Sequence, residues 1–366
     1  MIKTLQVRVK DKHASLLAAM ARNVNTCWNY CNETSQKAIR DRRQFLSGYD
    51  LQKLTAGFTA CDGVEIGAGT VNLVCVEYAN RRRQFKRQRL NWRVSNKNSS
   101  RYSLGWVPMK STEIRYRSGQ IVYAGVAFSL WDSYGLGDYA LRAGSFSEDA
   151  RGRWYFNVAV EVAATKSEGT KAVGIDLGLK TAVTCSDGQT FTGRLYRASE
   201  AKLAKAQRAG KKRLARTVHA KIRNQRKDGL HKFSTALVQE NAAIFVGDVS
   251  SKKMLKTKMA KSTQDAGWAM FKTMLENKCR QAGVVFEVVN EAYTTQTCSQ
   301  CGSIEGPRGV AGLGIRRWRC SCGVEHDRDV NSAQNIVRIG LDSLAVGAAL
   351  SGEANVDAVS GRCMGA

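Results

Sequence analysis

Two cysteine pairs near the C-terminal end constrain this chain more than any other feature. Cys298 and Cys301 lie in TCSQCG, and Cys320 and Cys322 follow in WRCSCG. The chain has 366 residues and an odd total of eleven cysteines, which argues against a secreted disulfide framework. Four thiolates arranged as C-x₂-C and C-x-C match one closed tetrahedral zinc site with no open position for chemistry. Such a site is structural, holding together an insertion too small for a core of its own. The other seven cysteines are scattered among apolar residues and read as core thiols.

The charge balance narrows the class of partner. With 57 Lys and Arg against 31 Asp and Glu, the net charge is +26, which calls for a polyanion, either nucleic acid or an acidic membrane. The longest apolar run, Ile121 to Trp131, falls short of the roughly 18 to 20 residues that a bilayer-crossing helix needs. MIKTLQVRVKDKH alternates polar and apolar residues without a signal-peptide apolar region, so the expectation is no membrane partner and a cytoplasmic location. Two prolines and 43% hydrophobic residues exclude a disordered basic protein. Four histidines leave little for histidine-based catalysis, and no Walker loop or G-x-S-x-G elbow is present.

Most of the excess charge falls in two segments. Arg81 to Arg93 (RRRQFKRQRLNWR) has seven basic residues, no acid, and Phe85 and Trp92 interleaved. Arg194 to Lys232 has fourteen basic residues against two acids and reads as one long helical stretch, with Leu214, Val218 and Ile222 as a narrow packing stripe. Arg81, Arg82, Arg83, Lys86, Arg87 and Arg89 in the first, and Lys211, Lys212, Arg213 and Arg216 in the second, are the candidate nucleic-acid contacts. Cations of this kind grip phosphates, positioning a nucleic acid without reading its sequence.

The periodicity divides the chain. A strand with Ile2, Leu5, Val7 and Val9 as its apolar set precedes helical patterns at His13–Arg42 and Tyr49–Ala79. Short strand-like runs fill 102–163, so a β-rich unit carries the helices as an insertion. After a polar linker at Lys166–Thr170, an apolar strand ends in Asp176. A hairpin turns at Ser186-Asp187-Gly188, and the basic helix, the strand AAIFVGDV, a helix through Trp268, Phe271 and Leu275, and the strand GVVFEVVNE follow. The cysteine insertion, the helix DRDVNSAQNIVRIGL and a Gly/Ala/Ser-rich tail expected to be mobile complete it. An α/β sheet gathers its C-terminal strand ends at one edge, where Asp176 and Asp329 would meet as hard oxygen ligands for Mg²⁺.

GIDLGLK (Gly174 to Lys180), MLKTKMAKSTQDAGW (Met254 to Trp268), YTTQTCSQCG (Tyr293 to Gly302), CSCG and DRDVNSAQNI (Asp327 to Ile336), in that order, resemble the TnpB family. These are transposon-encoded, RNA-guided DNA endonucleases related to type V CRISPR effectors. The resemblance implies α/β plus β architecture: a RuvC nuclease domain of RNase H fold at 166–292 and 326–350, and a zinc-binding insertion at 293–325. It implies a β-rich wedge domain at 1–10 and 101–165, a helical recognition lobe at 11–100 and a flexible tail at 351–366. It further implies catalytic Mg²⁺ as two ions, one structural Zn²⁺, a guide RNA derived from the transposon end, and double-stranded target DNA cut beside a short target-adjacent motif. It says nothing of oligomeric state.

Matched to the family's three carboxylates, the first is Asp176 and the last Asp329, with Asp327 outside the ligand set. Where the family carries the middle glutamate, this chain has Gly247, which has no ligand atom. Three readings stay open. Asp248 serves, although alternate strand residues face opposite ways. Glu291 serves from the C-terminal end of a neighbouring parallel strand, about 4.8 Å away, with the glycine leaving room. Or the nuclease is inactive, and the chain is an RNA-guided DNA-binding repressor. The catalytic set favoured by sequence is Asp176, Glu291 and Asp329.

Overall fold

A computed structural model of the chain describes residues 1–163, 166–249, 262, 266–309 and 311–351. The expected tail from 352 onward, and most of the Met254–Trp268 block, lie outside the described residues. The chain divides into two compact units, Met1–Ala163 and Ala164–Ala366.

In the first unit, β1 (Ile2–Val9) alternates as its pattern predicts, burying Leu5, Val7 and Val9. Ile2, expected in that apolar set, is exposed instead. β1 pairs antiparallel with β7 (Trp154–Glu161) on one side and β5 (Val126–Trp131) on the other. The seven-stranded sheet is completed by β2 (Trp106–Met109) and β6 (Leu141–Glu148) beyond β7, and by β4 (Gln120–Tyr123) and β3 (Arg115–Arg117) beyond β5. The apolar run Ile121–Trp131 is therefore a β hairpin, turning through Ala124 and Gly125, both at positive φ. Between β1 and β2 run helices α1 (Ala14–Arg42), α2 (Gly48–Leu54) and α3 (Ala68–Gln84). Ser47 and Asp50 form a capping box at the start of α2. Leu17 and Val24 of α1 and Val74 of α3 belong to the same apolar cluster as Phe128, Phe146 and Phe156 of the sheet, so helices and sheet share one core.

The second unit is built on a five-stranded sheet in the order β10 (Thr190–Phe191), β9 (Val183–Cys185), β8 (Lys171–Asp176), β11 (Asn241–Gly247), β12 (Val285–Val289). β8, β11 and β12 are parallel, and β9 and β10 form the antiparallel hairpin expected at Asp187-Gly188. A parallel sheet needs cover on both faces. Ile244 and Val246 of β11 pack with Phe271 and Leu275 of α6 (Trp268–Ala282), while Ala243 and Phe245 pack with Ile336 of α7 (Arg328–Ser351). Among the described residues no helix is long and apolar enough to cross a membrane.

Two sequence expectations change here. The basic stretch 194–232 does not form one helix. It is a hairpin of α4 (Leu195–Arg208) and α5 (Lys212–Glu240), broken where Gly210 adopts φ 62°. Reversal of the chain buries Leu203 against Val218 and Ile222, leaving Leu214, the third member of the expected stripe, 41% exposed. The strand expected to end at Glu291 ends at Val289, so Glu291 lies two residues beyond the sheet.

The close seat of α7 depends on a glycine in β8. A Cβ on Gly174 would lie 2.0 Å from the Ala333 carbonyl oxygen and 2.6 Å from the Val337 nitrogen, both backbone atoms that cannot rotate away. Gly174→Ala is expected to lower stability by about 3 kcal/mol or more, because α7 must lift from the sheet. The shift of the denaturant midpoint measures it, and a change within 0.5 kcal/mol (roughly the scatter of neutral surface substitutions) would contradict this account.

Candidate functional site

Asp176 ends β8, and Gly247 ends the neighbouring β11 in register with Val289 of β12. Asp329 sits in the first turn of α7. Asp327 accepts hydrogen bonds from the backbone N–H of Asp329 and Val330 at 3.0 and 3.1 Å, so it caps the helix. Ser332 Oγ donates to Asp176 Oδ1 at 2.8 Å and lies 2.9 Å from Thr294 Oγ1, which in turn donates to the Glu291 carbonyl at 2.8 Å. These hydroxyls tie α7 to the end of β8 and to the loop that carries Glu291.

A Cβ on Gly247 would lie 2.3 Å from Glu291 Oε2 and 3.3 Å from Glu291 Cβ. The Glu291 side chain thus fills the space that any larger residue at 247 would need. Lys272 Nζ donates to the Gly247 carbonyl at 2.6 Å. Asp248 is exposed, and its carboxylate accepts the Glu291 backbone N–H at 3.3 Å, so it supports the Glu291 loop.

The electrostatics show a site short of positive charge. Burial foremost, with the nearby Asp329 and Glu291 charges adding and the Ser332 bond opposing, pushes the Asp176 carboxyl up to about 7. Glu291 is also raised, by burial and then by Asp248, against the pull of Lys272. Asp329 is held by Arg316, whose Nη1 donates to both carboxylate oxygens at 2.9 Å. Among the described residues the ligand atoms of Asp176, Glu291 and Asp329 do not all come within 4.8 Å of one another.

The four cysteines do converge, with every sulfur within 4.8 Å of the others. Cys298 and Cys322 are 3.7 Å apart, and Cys301 and Cys320 are 3.6 Å apart. A tetrahedron with zinc–sulfur bonds of about 2.3 Å has edges of about 3.8 Å, so the donor set fits zinc despite the shortened C-x-C pair. The Ser303 hydroxyl and amide draw the Cys301 thiol down to about 6, favouring the thiolate a metal needs. His326 Nε2 lies 3.0 Å from Cys298 Sγ, with its ring against Trp318. Asn331 and Asn335, one turn apart on α7, each donate to the Thr294 and Thr297 carbonyls, clamping the arm that leads to Cys298.

Comparison with known proteins follows the same residues. Positions 268–336 match the family described as Cas12f1-like, TNB domain, and 155–258 the family described as Probable transposase. A protein of Streptomyces pristinaespiralis named Putative RNA-guided DNA endonuclease is 39% identical over 217 residues, covering 55% of this chain and 53% of that protein. Over these stretches the chain is similar to TnpB-like proteins. Escherichia coli has a similar protein, named Putative RNA-guided DNA endonuclease InsQ, 29% identical over 54% of this chain and 56% of its own length. The chain thus spans about half the length of these curated relatives. A solved Cas12f1-sgRNA-target DNA complex aligns with 92% of this chain and 99% of its own at 13% identity, with a TM-score of 0.39, too low to carry an argument about the fold.

The basic residues of the chain do not form a uniform set. Arg81, Arg83, Lys86, Arg87 and Arg89 are exposed, Arg81 pairing with Glu77 and Arg83 donating to Asn80. Arg82 is a correction to the sequence reading. It is buried, with its guanidinium bonded to Ser35 Oγ and the Leu46 carbonyl, and so braces the helices instead of facing a phosphate. Lys211, Lys212, Arg213 and Arg216 are all exposed around the start of α5. Cations there oppose the helix dipole, a cost that a bound polyanion offsets. Among the scattered cysteines, Cys61 is exposed, against the core reading, whereas Cys27, Cys31, Cys75, Cys185 and Cys279 are buried. Sequence reasoning missed Ser332, Thr294, Asn331, Asn335 and Lys272. Of these only the asparagine pair left a sequence signal, its i, i+4 spacing on one helix face.

Proposed function

We propose that this chain is an RNA-guided, Mg²⁺-dependent double-stranded DNA endonuclease whose carboxylate set is Asp176, Glu291 and Asp329, with Glu291 replacing the glutamate missing at Gly247. The observation that supports this reading is the 2.3 Å approach between Glu291 Oε2 and a Cβ placed on Gly247, where a side chain at 247 would begin. In this reading 166–292 and 326–350 form the RuvC nuclease domain and 293–325 its zinc-holding insertion. Residues 1–10 and 101–165 form the wedge and 11–100 the recognition lobe. The partners are a guide RNA from the transposon end and target DNA, met in the cytoplasm, with the guide–target duplex recognised mainly by its shape.

The donor chemistry suits magnesium: three carboxylates, one of them, Asp176, half-buried and pushed up to about 7 by loss of solvent and its acidic neighbours. When bound, two such ions supply an activated water and stabilise the leaving 3′ oxygen. Asp176, Glu291 and Asp329 would hold them, Ser332 orients Asp176, and Lys272 fixes the Gly247 carbonyl. Arg316 pairs with Asp329. The exposed cations of 81–89 and 211–216, Arg82 excepted, grip phosphates.

Plasmid cleavage with guide RNA and Mg²⁺ tests the reading: linear product is expected with both and none without either. Guided binding with no cleavage under any divalent metal would instead establish the inactive repressor. Ser332→Ala, which removes only the orienting hydroxyl, is expected to raise the Mg²⁺ concentration for half-maximal cleavage by roughly 10-fold or more. An unchanged Mg²⁺ requirement would remove Ser332 from the site.

A further inference from the structure

The sequence contains a second meeting of thiols, remote in sequence from the insertion. Cys27 and Cys31 lie one turn apart on one face of α1, and Cys75 faces them from α3. All three are fully buried, and their sulfurs all lie within 4.8 Å of one another, Cys31 and Cys75 at 3.7 Å. The Thr55 hydroxyl, just past the end of α2, lies 3.4 Å from Cys75 Sγ. Three helical segments of the first unit therefore converge on one point.

From this geometry we propose that Cys27, Cys31 and Cys75 form a trigonal thiolate site for a thiophilic divalent cation, separate from the four-cysteine group. Three sulfurs around one ion, with bonds of about 2.3 Å, stand about 4.0 Å apart, close to the spacing already present without the ion. Thiolates select soft cations such as zinc over the hard magnesium that suits carboxylates. On binding, three S–H bonds break, three metal–sulfur bonds form and three protons pass to water, with no change of oxidation state. The ion would cross-link α1 to α3 beside Arg82, the residue that braces the same helices from the far end of α3.

Cadmium serves as the probe, because sulfur-to-cadmium charge transfer absorbs in the near ultraviolet. The reduced full chain is titrated with Cd²⁺ in excess Mg²⁺, which keeps the carboxylates occupied. Wild type is expected to saturate at two equivalents, with two ¹¹³Cd resonances. Cys31→Val, close in size to cysteine, is expected to saturate at one equivalent and lose one resonance, while Cys298→Ser removes the other. Saturation of wild type at one equivalent, or retention of both resonances in Cys31→Val, overturns the site. The wild-type titration decides the matter even if the valine variant fails to fold.

Discussion

Replacing Glu291 with alanine is expected to slow DNA cleavage by at least about 10²- to 10³-fold while guided DNA binding stays unchanged. Among the described residues the two nearest other carboxylates are engaged elsewhere. Asp248 is committed to the Glu291 backbone N–H and is exposed, and Asp327 caps α7. Glu291→Gln sharpens the test, because it keeps the shape and loses only the charge, and the same loss is expected. The decisive variant moves the carboxylate. Gly247→Glu alone forces its Cβ to within 2.3 Å of Glu291 Oε2 and is expected to impair the enzyme, whereas Gly247→Glu with Glu291→Gly restores the ordinary family arrangement and is expected to recover cleavage. Full cleavage by Glu291→Ala, measured as single-turnover plasmid linearisation, would discard Glu291 as a ligand. Failure of the double variant to gain over Glu291→Ala would discard position 247 as its equivalent.

How much of this was legible in the sequence depends on how local each interaction is. The four-cysteine group was legible because each close pair in sequence marks one half of a site that could hold a metal ion. The room left by Gly247 was legible because parallel neighbours in a sheet stay in register over their whole length. The setting of Glu291 was not, since it lies two residues past Val289 on a loop fixed by Asp248 and the Val249 amide, both tertiary partners. The hydroxyl line from Ser332 through Thr294 was hidden for the same reason. Arg82 is a different case, because its signal was present and was overridden by the charge run. Val71, Val74, Cys75, Tyr78 and Arg82 fall on one face at helical spacing, and all five are buried. A run of seven cations was read as uniform when the helix period had already assigned one of them inward.

Removal of zinc is expected to abolish cleavage as completely as loss of Glu291, although no cysteine touches the carboxylates. A structural zinc site of this kind contributes on the order of 10 to 16 kcal/mol to folding, far more than an insertion with few buried apolar side chains can supply. The buried cysteines of the group are Cys298 and Cys320, and the apolar cover around them is thin. Without the ion the arm from Tyr293 to Cys298 relies on hydrogen bonds, among them the Asn331 and Asn335 clamps on the Thr294 and Thr297 carbonyls. Releasing Thr294 removes the partner of Ser332, and with it the set of the Asp176 carboxylate. Treatment with a zinc-selective chelator followed by fresh Mg²⁺ is therefore expected to leave guided binding, cut cleavage by at least about 10²-fold, and open 293–325 to protease. Cys322→His, which keeps a ligand atom, should retain zinc and most activity, while Cys298→Ser should not. Full cleavage by the zinc-free protein would show that the insertion and the carboxylates are independent, and the coupling through Thr294 and Ser332 would have to be abandoned.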